Sequence, residues 1–167
     1  MKNTVLSVLV SNHSGVLNRV TNLFGRRGFN IKGVTGAQTE VPHLSRITIL
    51  TEEENVAPRQ IARQLEKLED VHTTRILPGD ALVCRELLLF KLKPSFKGTG
   101  ELSAAFAPFE VNLLAEDEGF IIAEVCCNSS QVDEVVELAH GVGVLELCRT
   151  GAAALERGVR TIYTSRQ

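Results

Sequence analysis

The stretch Asn12-His13-Ser14-Gly15-Val16-Leu17 is where this chain places residues suited to binding a small charged molecule. It lies between a short apolar run at 4–10 and a segment in which Val16, Leu17, Val20, Leu23 and Phe24 recur at helical spacing. The loop therefore leads into a helix. The start of a helix exposes unpaired backbone N–H groups at the positive end of its dipole, and carboxylates bind there readily. Gly15 lets a ligand come close to the backbone. Asn12 or Ser14 could hydrogen-bond that ligand, or could cap the helix. The same residues also describe a tight loop and an ordinary capped helix start, which from spacing alone is the commoner arrangement.

Other chemistry is hard to find. His13 reads as a solvated loop residue, with no serine or cysteine nucleophile evidently paired with it. His43, His72 and His140 share no metal-ligand spacing with one another or with Cys84, Cys126, Cys127 and Cys148. The cysteines form no C-x-x-C pair and read as buried free thiols, Cys126 and Cys127 pointing to opposite faces of a strand. Glu52-Glu53-Glu54 reads as a solvated turn, and Asp117-Glu118 before Gly119 as a hairpin turn. No phosphate-binding loop or dinucleotide fingerprint is present. The expectation is a chain with no catalytic residues and no metal ligands.

The elements around the loop follow from the hydrophobic pattern. Strands are expected at 4–10, about 29–38, 45–51 and 71–77. Arg26, Arg27 and the stop residue Gly28 end the first helix, and Pro58 opens a second one carrying Ile61, Ala62, Leu65 and Leu68. After Pro78-Gly79-Asp80 the order repeats. A strand at 84–93 precedes a short helix at 100–107, strands near 109–115 and 119–127, a helix capped by Ser129 or Ser130 and ended by Gly141 and Gly143, and a last strand at 144–147. A further short helix is expected around Ala152–Arg157. The fold class is α+β: two tandem ferredoxin-like βαββαβ modules, dividing the chain into 1–78 and 79–167.

Composition narrows the function classes. The 167 residues are 44% hydrophobic and 23% charged, ordinary for a globular protein. A net charge of −2, no tryptophan and one tyrosine argue against a nucleic-acid partner, although RNA-recognition folds share this strand order. No apolar run approaches a membrane span, and the first residues lack the pattern of a signal peptide, so the expected location is the cytoplasm.

The residues then become familiar. Asn12-x-Ser-Gly-Val-Leu-x-Arg-Val, Leu23-Phe24, Arg27-Gly28-Phe29-Asn30-Ile31 and Leu44-Ser45-Arg46-Ile47-Thr48-Ile49 resemble the ACT domain of acetolactate synthase small subunits. Gln60-Ile61-x-x-Gln64-Leu65-x-Lys67-Leu68-x-x-Val71 also matches, and Cys84-Arg85-Glu86-Leu87-Leu88-Leu89 with Arg149-Thr150-Gly151 resembles that family's C-terminal domain. The sequence departs from the family at Phe106-Ala107-Pro108-Phe109 and is richer in glycine at Gly33 and Gly36.

The resemblance implies a regulatory protein with no catalytic site of its own. Residues 1–78 would be an ACT domain for effector binding and dimerisation, and 79–167 the family's C-terminal ferredoxin-like domain. Its partner would be a large catalytic subunit that carries thiamine diphosphate, magnesium and FAD and condenses pyruvate with a second 2-oxo acid in valine, leucine and isoleucine biosynthesis. The small subunit would activate that enzyme and confer feedback inhibition by a branched-chain amino acid, valine first. The effector would sit between two ACT domains of a homodimer, held by Asn12, Ser14 and Gly15, with an aliphatic pocket of Val16, Leu17 and Ile31 and with Asn30 supplied by the neighbouring chain. A stand-alone ACT-type amino-acid sensor is the alternative.

Overall fold

The computed structural model describes residues 3–52, 57–79, 81–94, 96 and 99–163. Glu53 and Glu54 of the acidic run, and Asp80 of the Pro-Gly-Asp punctuation, lie outside these residues. The element order is β1 (Asn3–Ser11), α1 (Val16–Arg27), β2 (Ile31–Gln38), β3 (Leu44–Glu52), α2 (Pro58–Leu65) and β4 (Val71–Leu77). It continues with β5 (Leu82–Leu92), α3 (Thr99–Ala105), β6 (Val111–Asp117), β7 (Phe120–Cys127), α4 (Ser129–Val142), β8 (Val144–Arg149) and β9 (Ala153–Glu156). Each βαββαβ run builds an antiparallel sheet, ordered β2-β3-β1-β4 in the first and β6-β7-β5-β8 in the second. This is the expected α+β class, two ferredoxin-like modules.

In the first module, β1 and β3 occupy the centre of the sheet, and their apolar alternation decides which face the helices cover. Leu6, Val8 and Val10 of β1, with Ile47 and Ile49 of β3, meet Val16, Val20 and Phe24 of α1 and Ile61 and Leu65 of α2. Phe24 and Phe29 touch edge to face, with ring centroids 5.9 Å apart. Gly28 ends α1 in the left-handed conformation (φ 67°), and Pro58 stands in the first turn of α2. Burial of this core supplies the driving force for the module, at roughly 25 cal/mol per Å² of apolar surface.

The second module repeats the plan with Leu88, Phe90 and Leu92 of β5 against Leu102, Phe106, Val132 and Val135. Its one deeply buried carboxylate is paired: Arg149 Nε and Nη2 donate to the two oxygens of Glu86 at 2.7 and 3.2 Å, and Arg149 Nη1 donates to Asp133 at 2.7 Å. Thr150 Oγ1 accepts from the Leu87 amide at 3.1 Å.

The structure corrects several details. Asn128, not Ser129 or Ser130, caps α4; its side chain accepts from the Gln131 amide, and Gln131 closes a capping box. Gly141 lies inside α4, and only Gly143 ends it in a left-handed conformation. Ala152–Arg157 is not a helix: Ala153–Glu156 is a strand pairing with β5, and the Arg157 amide donates to the Ala81 carbonyl at 2.6 Å. Of the four free thiols only Cys127 is buried; Cys126 and Cys148 are exposed and Cys84 is half-buried. Ala107–Pro108, at the site of departure from the family, is a cis peptide.

The compact units also divide otherwise than at 78/79. Cys84–Gly151 forms one unit, and the described residues up to Val83 join those from Ala152 onward in the other. The physical reason is burial: Ala154 and Ile162 are buried, in company with Ser7, Leu77 and Thr48 on the face of the first sheet away from its helices.

Two glycines in and after α1 predict opposite responses to one methyl group. Gly25 lies inside the helix with open space where a Cβ would stand, so Gly25→Ala should stabilise by about 0.5–1 kcal/mol. Gly28 also has open space but a positive φ, so Gly28→Ala should destabilise by about 1 kcal/mol. Denaturant unfolding of the two variants checks the sign of each.

Candidate functional site

The β1–α1 loop is held on both sides by backbone hydrogen bonds. The Ser11 amide donates to the Asp70 carbonyl at 2.9 Å, and the Asn12 amide to the His43 carbonyl at 2.8 Å. The chain then turns through Gly15, whose φ of 84° is a left-handed conformation that glycine adopts without strain. The Gly15 carbonyl accepts the first intrahelical bond, from Arg19. No side chain caps α1, so neither Asn12 nor Ser14 serves as the cap. The amides of the first turn, at Val16, Leu17 and Asn18, are left for a ligand or solvent.

These amides adjoin a pocket of 270 Å³ lined by Asn12, Val16, Leu17, Gly36, Gln38 and Ile47, among others. Register explains the gathering. Val10 pairs with Ser45, and Ser45 with Gln38, so the end of β2 lies beside the exit of β1. Gly36 keeps the floor open; a Cβ there would stand 3.9 Å from Ile47. The side-chain amides of Asn12 and Gln38 both donate to the Pro42 carbonyl, at 3.3 and 2.9 Å. That shared anchor fixes one wall of polar groups opposite an aliphatic wall of Val16, Leu17 and Ile47.

Of the expected site residues, the structure brings Asn12, Val16 and Leu17 to the pocket. Ser14 and Gly15 stand beside it in the loop. Asn30 and Ile31 do not join them within one chain: Ile31 pairs with Thr51, and Asn30 accepts from Thr51 Oγ1 at 2.7 Å. They lie at the opposite end of β2 from Gln38, about 23–26 Å away at the rise of a strand. Sequence reasoning missed Gly36, Ala37, Gln38, Ser45 and Ile47. The signal that could have found them is the hairpin about Pro42, which fixes their register against β1.

Asp70 was also missed. It sits in the turn before β4 and clamps the loop: Arg19 Nε donates to Oδ2 at 2.6 Å, and His13 Nε2 lies 2.9 Å from Oδ1. Arg19 also lies over Gly15, its Nη1 3.4 Å from where a Cβ would be. Burial raises the Asp70 pKa, while the Arg19 hydrogen bond and charge, with His13 beside them, lower it. The contacts win, and the carboxyl titrates below the usual carboxylate range.

Among the described residues, no group of three or more His, Cys, Asp or Glu side chains is placed to hold a metal ion. No helix of the described residues is long and apolar enough to cross a membrane.

The clamp yields a pH prediction. With its folded pKa below the unfolded value of about 3.9, Asp70 contributes stability above about pH 4 and loses it as pH falls through the folded pKa. Asp70→Asn should therefore melt below the parent at neutral pH, and the two curves should converge in acid. Melting temperatures from pH 7 down to pH 3 check this, and a constant gap would contradict it.

Comparison with known proteins agrees with the fold. The model of the AHAS small subunit-like ACT domain matches residues 6–73, and that of the small subunit of acetolactate synthase matches residues 85–158. The chain is 37% identical to a probable acetolactate synthase small subunit of Methanothermobacter thermautotrophicus, over 95% of each chain. It is 33% identical to the acetolactate synthase small subunit of Bacillus subtilis, covering 93% of this chain and 91% of that one. The crystal structure of an acetolactate synthase small subunit from Thermotoga maritima superposes with a TM-score of 0.83 at 30% identity, over 96% of this chain and all of that one. With both halves matched and the relatives aligned nearly end to end, the chain belongs to the acetolactate synthase small subunit family.

Proposed function

We propose that this chain activates a large acetolactate synthase subunit and makes it sensitive to a branched-chain amino acid, valine first, bound at the β1–α1 loop. The observation that carries this reading is the uncapped start of α1 beside a pocket with one polar and one aliphatic wall. An amino acid has matching parts. Its carboxylate suits the amides of Val16, Leu17 and Asn18, where the helix dipole favours negative charge. Its ammonium suits the carbonyl oxygens of the Asn12 and Gln38 side chains, whose NH₂ groups are occupied by Pro42. Its branched side chain suits Val16, Leu17 and Ile47. The 270 Å³ volume falls below the roughly 300–1,000 Å³ of pockets for drug-sized ligands, as a small amino acid requires.

A second copy would complete the site. β2 is an edge strand of its sheet. Two-fold pairing of β2 with β2 of another copy would run antiparallel and bring Asn30 and Ile31 of that copy to the Gly36–Gln38 end. Such pairing gives two equivalent sites and covers the β2 edge of each copy. Thiamine diphosphate, magnesium and FAD belong to the large subunit in this account, and this chain acts by linkage. A coupling of about 1–3 kcal/mol would change the affinity of the two partners for each other 5- to 150-fold when valine binds. By reciprocity, the large subunit must shift valine affinity by the same factor. Discrimination among valine, leucine and isoleucine would be weak, since one methylene is worth only about 1–3 kcal/mol.

The test is reconstitution with the cognate large subunit across a valine titration. The expected result is a rise in activity on mixing and a fall with valine. In Gly15→Asp, a carboxylate would compete with the effector's own and draw Arg19 from Asp70. That variant should retain activation and raise the half-inhibitory valine concentration by at least about tenfold, near 1.4 kcal/mol. Absence of activation by the parent chain would refute the regulatory reading, and unchanged inhibition in Gly15→Asp would remove the loop from the effector site.

A further inference from the structure

Positive charge collects in one place well away from the loop. A cavity of 650 Å³ is lined by Arg59 and Arg63 of α2, Arg75 of β4 and Arg160 of the C-terminal segment, with Glu156 as its carboxylate among the described residues. The net charge of this lining is +3, in a chain whose net charge is −2. Like charges repel, and the local structure makes the gathering less favourable still. Arg59 and Arg63 are one turn apart on the same face of α2. Arg59 stands in the first turn, next to the positive end of the helix dipole, and that turn holds no acidic residue. Arg75 lies 3.8 Å from Glu156, and Arg59, Arg63 and Arg160 form no ion pair among the described residues.

The cleft has a definite form. β4 is the other edge strand of the first sheet, and alternate residues of a strand face opposite ways. Thr74 and Ile76 therefore line the cleft from one face, toward α2, and Arg75 from the other, toward Glu156 and Arg160. Arginines thus line it from both sides of an edge strand. Each guanidinium fork matches two oxygens of a phosphate in plane, geometry that a lysine ammonium does not provide. Ala62, Ile76 and Pro78 give an apolar wall for an organic remainder. Arg75 is level with Ser7 of β1, five residues before Asn12, so the cleft is about 17 Å along the strand from the loop pocket.

We propose that this cleft is a second binding site, for a small anion carrying a diphosphate group. A diphosphate carries close to the three negative charges that the lining would balance, and its two phosphorus centres engage guanidinium groups from α2 and from the C-terminal segment together. The site is independent of the amino-acid pocket and does not require it to be occupied.

Calorimetric titration of the full chain with inorganic diphosphate at low salt tests the site. The expected result is one saturable site per chain, weakened by added salt because the attraction is between charges. The double variant Arg63→Gln/Arg160→Gln should bind at least about tenfold more weakly at an unchanged melting temperature. Glu156→Gln, which removes the opposing carboxylate, should bind more tightly, a gain that misfolding does not produce. Citrate, with similar charge on carboxylates, should bind more weakly than diphosphate. No saturable binding of millimolar diphosphate by the parent chain, or equal binding by the double variant, would overturn the site. Citrate binding as tight as diphosphate would overturn the phosphate class.

Discussion

Backbone N–H groups at a helix start must find partners, and α1 leaves its first-turn amides without a side-chain cap. Everything around the β1–α1 loop serves that exposed end. Gly15 turns the chain through a positive φ so that the amides stand clear of β1. Asp70 holds Arg19 and His13, and its carbonyl holds Ser11, so the turn before β4 and the loop move as one piece. Asn12 and Gln38 share the Pro42 carbonyl, which ties the end of β2 to the loop. These ties fix the surroundings of that helix start.

The two faces of the first sheet divide their tasks. The helix face carries the large apolar side chains that stabilise the module, and it opens at one end into the loop pocket. The other face mixes buried Val5, Leu9, Leu50 and Leu77 with buried Ser7 and Thr48, and is met by Ala154 and Ile162 of the C-terminal segment. That segment also brings Glu156 and Arg160 to the edge of β4, where charge rather than apolar surface dominates. In the second module the family's sequence signature has a direct physical meaning. Glu86 is buried and ionisable, and Arg149, 63 positions later, is its bidentate partner; Leu87 and Thr150 bond beside them. Loss of Arg149 would leave Glu86 as an uncompensated buried charge, at a cost of about 3–5 kcal/mol.

Much of the fold was legible because apolar spacing and punctuation agreed. Val16, Val20, Leu23 and Phe24 marked the face of α1, and Gly28 and Pro58 marked a helix end and a helix start by their backbone geometry. The expected helix at Ala152–Arg157 shows the limit. Alanine, leucine and glutamate favour helix, but the first residues of β5 extend beyond β7 and β8, and pairing with them outweighed local propensity. The start of α4 was displaced by one residue because Asn128 and Gln131 satisfy each other's backbone, a reciprocal bond that serine could not complete at that spacing. For the site, Asn12, Val16 and Leu17 were legible as a strand-loop-helix junction. Asp70 was not: it stands 51 residues from Arg19 in sequence, and nothing local marks it. Gly36 and Gln38 became readable only through the register of β2 against β3.

The central claim, that the exposed start of α1 receives a branched-chain amino acid, is tested most directly by backbone amide NMR of the full chain during a valine titration. The account predicts saturable shifts centred on Val16, Leu17 and Asn18, with a second group at Gly36, Ala37 and Gln38, and only small changes in β5–β8. Saturable shifts that leave the α1 amides unmoved, or no shifts at millimolar valine, would contradict it.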